Sequence, residues 1–93
     1  MKLIIKTRYG NSTYHARAIA VSSDPKEEVA LGITATCTSS ARFAATACAA
    51  KWLARTITGD ITKADDYRDM VQLSEVEPNV FAVSVSSKME VLQ

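Results

Sequence analysis

The sequence contains little of what catalytic and metal sites require. Its 93 residues include one histidine, two cysteines and three glycines. A nucleophilic triad needs a base beside its nucleophile, and a zinc site needs three or four Cys or His ligands. His15 lies alone in a predicted strand, and Gly10, Gly32 and Gly59 are too scattered for a phosphate-cradling loop. We therefore expect a non-enzymatic protein with no catalytic residues, cofactor or metal.

Long apolar runs are also missing. The opening MKLIIK has three consecutive apolar residues before the next lysine, too few for the core of a secretory signal. No run approaches the roughly 20 apolar residues of a membrane span. We expect a cytoplasmic protein. Cys37 and Cys48 lie among small apolar neighbours, where a free cysteine behaves as a small buried hydrophobe.

Charge is balanced over the chain and uneven within it. Eleven Lys and Arg against ten Asp and Glu give a net charge of +1, which indicates no general polyanion binder. The first 22 residues, however, contain no Asp or Glu, and they hold Lys2, Lys6, Arg8, His15 and Arg17. This basic face has two interpretations. In the first, it binds phosphates or an acidic protein. In the second, it solubilises the sheet and protects an edge strand from pairing.

Alternating apolar and polar residues predict a first hairpin. The strands run from Lys2 to Tyr9 and from Thr13 to Val21, with Gly10-Asn11 as the turn. The register that this turn imposes pairs Ile5 with Ala16 and Leu3 with Ala18 on an apolar face, and Lys6 with His15 and Ile4 with Arg17 on a basic face.

The rest of the chain predicts one helix and three more strands. Ser22 to Glu28 is expected as a loop, Val29 to Thr38 as a strand, Ala41 to Thr56 as a helix, and 62–65 as a short helical turn. Met70 to Val76 and Val80 to Ser86 form a second hairpin, and 88–93 an edge extension or a frayed tail. The fold class is α+β, a single domain over 1–93 with an antiparallel sheet of about five strands, one long Ala-rich helix on one face, and the order β-β-β-α-β-β.

The predicted helix has two apolar stripes. We expect the stripe of Phe43, Ala47, Ala50 and Ala54 to pack on the sheet. The other stripe has no evident cover within the first 60 residues; either the second hairpin folds over it, or it is a candidate homodimer or partner face. Its members are Ala41, Ala45, Cys48 and Trp52. The predicted core consists of Leu3, Ile5, Ile33, Phe43, Ala47, Ala50, Val83 and Val85.

Two resemblances bear on function. The segment that enters Ser39-Ser40 and continues as ARFAATACAAK resembles the last strand and last helix of a double-stranded RNA-binding domain, whose helix opens with a phosphate-binding lysine cluster. Arg42 is the position here that matches this cluster. The same resemblance implies a helix packed on an antiparallel sheet.

The longer segment TATCTSSARFAATACAAKWL resembles small proteins encoded by phages and prophages. That resemblance implies a mobile-element accessory protein, a class that includes anti-CRISPR inhibitors of host defence, which bind a host protein. The first hypothesis is thus a small binding protein that acts by protein contact with a host protein or complex. The alternative is a nucleic-acid-binding module using Lys2, Lys6, Arg8, Arg17 and Arg42.

Overall fold

The predicted N-terminal hairpin forms the middle of a five-stranded antiparallel sheet. The computed structural model describes residues 2–23 and 25–85. The strands are β1 (Lys2–Gly10), β2 (Thr13–Ser23), β3 (Lys26–Cys37), β4 (Val71–Glu77) and β5 (Val80–Val85), in the spatial order β3-β2-β1-β5-β4. Helix α1 (Ala41–Thr58) and a 3₁₀-helix (Ile61–Met70) lie between β3 and β4 in the chain. The α+β class and the element order are confirmed.

The first hairpin turns one residue later than predicted. Asn11 and Ser12 occupy the turn with φ values of 54° and 61°, as a two-residue turn with two left-handed positions requires. Ile5 therefore pairs with Ala18 rather than Ala16, and Lys6 pairs with Arg17. The shift is two residues, which equals the side-chain repeat of a strand, so both predicted faces survive the wrong register.

The second connection is shorter than the predicted loop of 22–28. The ladder between β2 and β3 continues as far as Ser23 and Lys26. The strand predicted to end at Ser86 and the tail 88–93 extend outside the described residues. The helical turn predicted at 62–65 is part of the longer 3₁₀-helix.

A bulge interrupts β3 in its middle. Arg17 pairs with Thr34 and Ile19 with Ala30, so one residue of β2 faces residues 31–33 of β3. Gly32 lies in this bulge with a φ of 73°, a conformation that strains a residue with a Cβ. Bulges bend a strand locally, and Thr34 and the residues of β3 after it lie beyond this bend.

Local capping sets the ends of α1. The Ser40 hydroxyl accepts a hydrogen bond from the Phe43 amide at 3.1 Å, which satisfies a free donor of the first turn. At the other end Gly59 adopts a φ of 77°, and its amide donates to the Arg55 carbonyl at 3.0 Å. The helix ends at Thr58, two residues after the predicted end.

The helix presents the stripe of Ala41, Ala45, Cys48 and Trp52 to the sheet. Ala45 and Cys48 have 0% exposure in the main core, and Ala41 and Trp52 pack against that core. The stripe is therefore not an exposed homodimer or partner face, because Ala45 and Cys48 lie inside the fold and Ala41 and Trp52 are partly buried. Small side chains let the helix axis lie close to the strands.

The opposite stripe has a different cover. Ala50, Leu53 and Ala54 are buried although they lie outside the sheet-facing cluster. The 3₁₀-helix packs along α1, which accounts for this burial. Phe43 is 63% exposed, so its place in the predicted core is wrong.

The remaining core predictions divide by depth. Ile5, Ile33 and Ala50 are buried, and Leu3, Ala47 and Val83 are partly buried against the core. Val85 is 42% exposed and does not belong to the core. Sequence patterns did not identify Phe81 as a core residue, yet it is 2% exposed and carries the core onto β5.

Candidate basic groove

The face of the sheet opposite α1 carries a groove of about 690 Å³. Three neighbouring strands and the β4–β5 turn contribute to it. We call it the basic groove, and its lining residues are Lys6, Thr7, Arg8, His15, Ala16, Arg17, Thr34, Ala35, Thr36, Pro78, Asn79 and Val80. No Asp or Glu among the described residues lines it. A concave surface with cations and no carboxylates favours an anionic ligand.

Strand register places the polar side chains in two rows. Lys6 of β1 pairs with Arg17 of β2, which pairs with Thr34 of β3. The next row toward the first turn joins Arg8, His15 and Thr36 in the same way. Neighbouring strands lie about 4.8 Å apart and alternate residues of a strand about 6.8 Å apart. The rows therefore place Lys6, Arg8 and Arg17 at neighbouring positions on one face of the sheet.

The β4–β5 turn forms a wall of the groove and is tied to β1. Both the amide and the hydroxyl of Thr7 donate to the Asn79 carbonyl, at 2.8 and 3.1 Å. Asn79 has a φ of 66°, and its amide donates to a Glu75 carboxylate oxygen at 3.2 Å. These bonds hold the wall in place without using the groove cations.

One cation at the rim is already paired. Lys6 Nζ lies 2.9 Å from Glu28 Oε1 of β3, so the ion pair spans the intervening strand β2. The hydrogen bond and the charge of Lys6 lower the pKa of Glu28, and the charges of Lys26 and Arg17 act in the same direction. An incoming anion must share Lys6 with this carboxylate.

The other two cations of the groove are available to a ligand. Within the described ranges, Arg8 and Arg17 form no salt bridge and no side-chain hydrogen bond. Arg8 Nη1 would lie 3.2 Å from a Cβ placed on Gly10, so the guanidinium folds over a residue without a side chain. His15 Nε2 is 3.2 Å from the Gly10 carbonyl oxygen, and this contact fixes the ring between Arg8 and Thr36.

The five cations predicted for partner binding do not form one surface. Lys6, Arg8 and Arg17 line the basic groove, whereas Lys2 lies at the far end of β1, opposite Val21, and does not line it. Arg42 is on the helix side of the sheet, 5.5 Å from the centre of the Phe81 ring. Phe81 is in the core beneath α1. Arg42 therefore cannot act together with the groove.

The basic residues of α1 donate hydrogen bonds to backbone carbonyls at the sheet edges. Lys51 Nζ donates to the Thr34 carbonyl at 2.9 Å, and Arg55 Nη1 donates to the Leu31 carbonyl at 3.3 Å, both on edge strand β3. Arg42 Nη1 donates to the Leu73 carbonyl of the other edge strand at 3.5 Å. Unpaired edge groups invite another strand, and these contacts occupy carbonyls on both edges.

Residues 2–23 and 25–85 contain neither a cluster of metal-ligand side chains nor a membrane-spanning helix. No cluster of three His, Cys, Asp or Glu in this part of the chain could hold a metal ion. No described helix is both long and apolar enough to cross a bilayer. The acidic residues Asp65, Asp66 and Asp69 lie exposed on the 3₁₀-helix.

The sequence located the groove cations but not their polar companions as a set. Only the register shows that Thr34 faces Arg17 and Thr36 faces His15. The contribution of the β4–β5 turn has no local sequence signal, because Asn79 and Thr7 are 72 residues apart in the chain.

A scan against protein-family models, a search of curated proteins and a search of solved structures each gave no match.

Proposed function

We propose that this protein is a small non-enzymatic binding protein that acts by protein contact, and that the basic groove receives an acidic segment of its partner. The observation that carries the proposal is the convergence of Lys6, Arg8 and Arg17 in one concavity that has no carboxylate in its described lining. Charge complementarity of this kind accelerates association and selects the partner.

A compact cation cluster supports an acidic segment over a nucleic acid. Binding along a duplex or single strand uses many phosphate contacts, but Lys2 and Arg42 lie away from the groove. Single-strand binding also uses aromatic stacking, and the described lining contains no Phe, Tyr or Trp. A net charge of +1 adds little attraction to a polyanion as a whole.

Finer assignments belong to the same proposal. The phage-like helix segment supports a phage-encoded inhibitor of a host defence system, in the manner of anti-CRISPR proteins, acting in the cytoplasm of the host cell. Such an inhibitor would work by occupying the surface of a host protein, which agrees with a single groove and needs no chemistry.

The test is binding of a fluorescent hexaglutamate peptide to the full chain. We expect binding that weakens with salt and that is lost in the double variant Arg8→Glu, Arg17→Glu. The matched control is the double variant Lys63→Glu, Arg68→Glu, because both side chains are exposed on the 3₁₀-helix and the two substitutions change the net charge by the same amount.

Two outcomes would overturn the proposal. One is peptide binding that the groove variant and the control reduce equally, which would show only non-specific attraction. The other is tighter groove-dependent binding of a 16-base-pair RNA or DNA duplex than of the peptide, which would establish the nucleic-acid alternative.

A further inference from the structure

The basic groove contains more than positive charge. Five side chains that can donate hydrogen bonds project from three strands, and we call them the donor grid: Lys6, Arg8, Arg17, Thr34 and Thr36. Thr34 and Thr36 point away from the core, because Ile33 and Ala35 between and beside them are buried under α1. The grid therefore combines cations on one side with neutral hydroxyls on the other.

The shape of the grid discriminates between anions. A carboxylate offers two oxygens in one plane, whereas a phosphoryl group on an ester offers three terminal oxygens in a tetrahedral arrangement and almost two negative charges near pH 7. Donors from β1, β2 and β3 stand at neighbouring positions on one face of the sheet, so a tetrahedral group can contact more than one strand. Arginine is suited to paired contacts with phosphate, and a threonine hydroxyl can serve the third oxygen.

The surroundings favour a ligand with more than one charge. The groove has two guanidinium groups without protein partners in the described residues, and a third cation that shares its charge with Glu28. A single carboxylate would leave one guanidinium without an anionic partner. A dianion can engage both.

We infer that the donor grid is a phosphomonoester site, which takes a phosphoryl group carried by a side chain of the partner. This inference rests on the proposed function of the groove and names the chemical group at its centre. The phosphate oxygens accept from Arg8 and Arg17, and the hydroxyls of Thr34 and Thr36 complete the contact on the β3 side.

The experiment is an NMR titration of the ¹⁵N-labelled full chain with three probes. These are a capped Gly-Gly-phosphoserine-Gly-Gly peptide, the same peptide with glutamate in place of phosphoserine, and inorganic phosphate. We expect the phosphopeptide to shift the amides of Arg17, Thr34 and Thr36, and to bind about tenfold more tightly than the glutamate peptide, which corresponds to about 1.4 kcal/mol.

Variants separate the hydroxyls from the charges. The double variant Thr34→Val, Thr36→Val keeps the β-branched shape that suits a strand, and it should weaken phosphopeptide binding severalfold while affecting the glutamate peptide less. Lys63→Glu should leave both unchanged. A dispersed amide spectrum shows that each variant is folded.

Each result has one meaning. Equal or tighter binding of the glutamate peptide at the groove overturns the phosphomonoester site and leaves the acidic-segment function standing. If neither peptide shifts the groove amides at saturating probe concentrations, both proposals are overturned. Tighter binding of inorganic phosphate than of the phosphopeptide supports the phosphate chemistry but identifies the source as the free anion and overturns the partner side chain.

Discussion

The orientation of α1 can be tested by substitution, because an exposed position on one apolar stripe and a buried position on the other should change the free energy of unfolding by different amounts. Phe43 is 63% exposed and Ala45 is 0% exposed. Truncating a phenylalanine in a core costs about 3–5 kcal/mol. Complete burial of such a side chain stabilises by about 1.5–3 kcal/mol, so the third of Phe43 that is covered contributes about 0.5–1 kcal/mol. Phe43→Ala should therefore lower the free energy of unfolding by about 1 kcal/mol or less, since alanine also improves helix propensity.

The opposite substitution should cost more although it adds apolar surface. Ala45→Leu forces a larger side chain between α1 and the sheet, where Ala45 is in the closed core cluster. Overpacking of this kind costs about 1–3 kcal/mol. A chain of this length has a total stability of about 5–14 kcal/mol at about 0.05–0.15 kcal/mol per residue, so the variant should fold and remain measurable.

Urea unfolding followed by far-UV circular dichroism measures both changes, with the slope against denaturant as a check on two-state behaviour. If Phe43→Ala cost more than about 2 kcal/mol while Ala45→Leu cost less than about 1 kcal/mol, the helix would present its other stripe to the sheet. The assignment of the buried face would then be wrong.

Four further predictions test local features. Iodoacetamide should label Cys37 and spare Cys48 in the folded protein: the amides of Ser39 and Ser40 lower the pKa of the partly exposed Cys37 thiol, whereas burial raises that of Cys48 to about 12. The raised pKa of Cys48 also predicts a pH dependence of stability. The stability contributed by the neutral thiol is present below pH 9.0, the ordinary pKa of a cysteine thiol, and is lost as pH rises toward about 12. Cys48→Ala should abolish this alkaline loss in unfolding curves. Gly59→Ala should cost about 1–2 kcal/mol in thermal unfolding, because its φ is 77°; no loss would contradict the left-handed cap. Glu28→Gln should strengthen anion binding at the groove at neutral pH by releasing Lys6; unchanged affinity would exclude competition for Lys6.

The basic residues of α1 contact the edges of the sheet. Arg42 was expected to contact phosphates by its resemblance to an RNA-binding helix, but it donates to the Leu73 carbonyl and lies against the Phe81 ring. Lys51 and Arg55 act similarly on β3. A cation on a helix beside a sheet has carbonyls within reach, so its charge alone does not indicate a ligand site.

Much of the groove could be predicted from the sequence because strand alternation has a fixed period. Lys6 and Arg8 must share a face, and the absence of acidic residues up to position 22 leaves that face basic. A register error of two residues changed each partner and left the faces unchanged. The groove cations were identified for this reason although their pairing was wrong.

The sequence of α1 predicted less of the structure, because apolar residues on two sides of a helix do not indicate which side packs on the sheet. The choice depends on the 3₁₀-helix, which covers one stripe and leaves the other to the strands. No residue within α1 encodes the position of that later segment.

The sequence by itself determined the α+β class, the strand and helix order, and the basic character of one sheet face, since each follows from local periodicity and composition. Only the tertiary structure decided which stripe of α1 is buried, that Arg42 and Lys2 lie away from the groove, and that Thr34, Thr36 and the turn at Asn79 complete it. These features depend on contacts between residues far apart in the chain, such as Thr7 with Asn79, and no local pattern specifies such contacts.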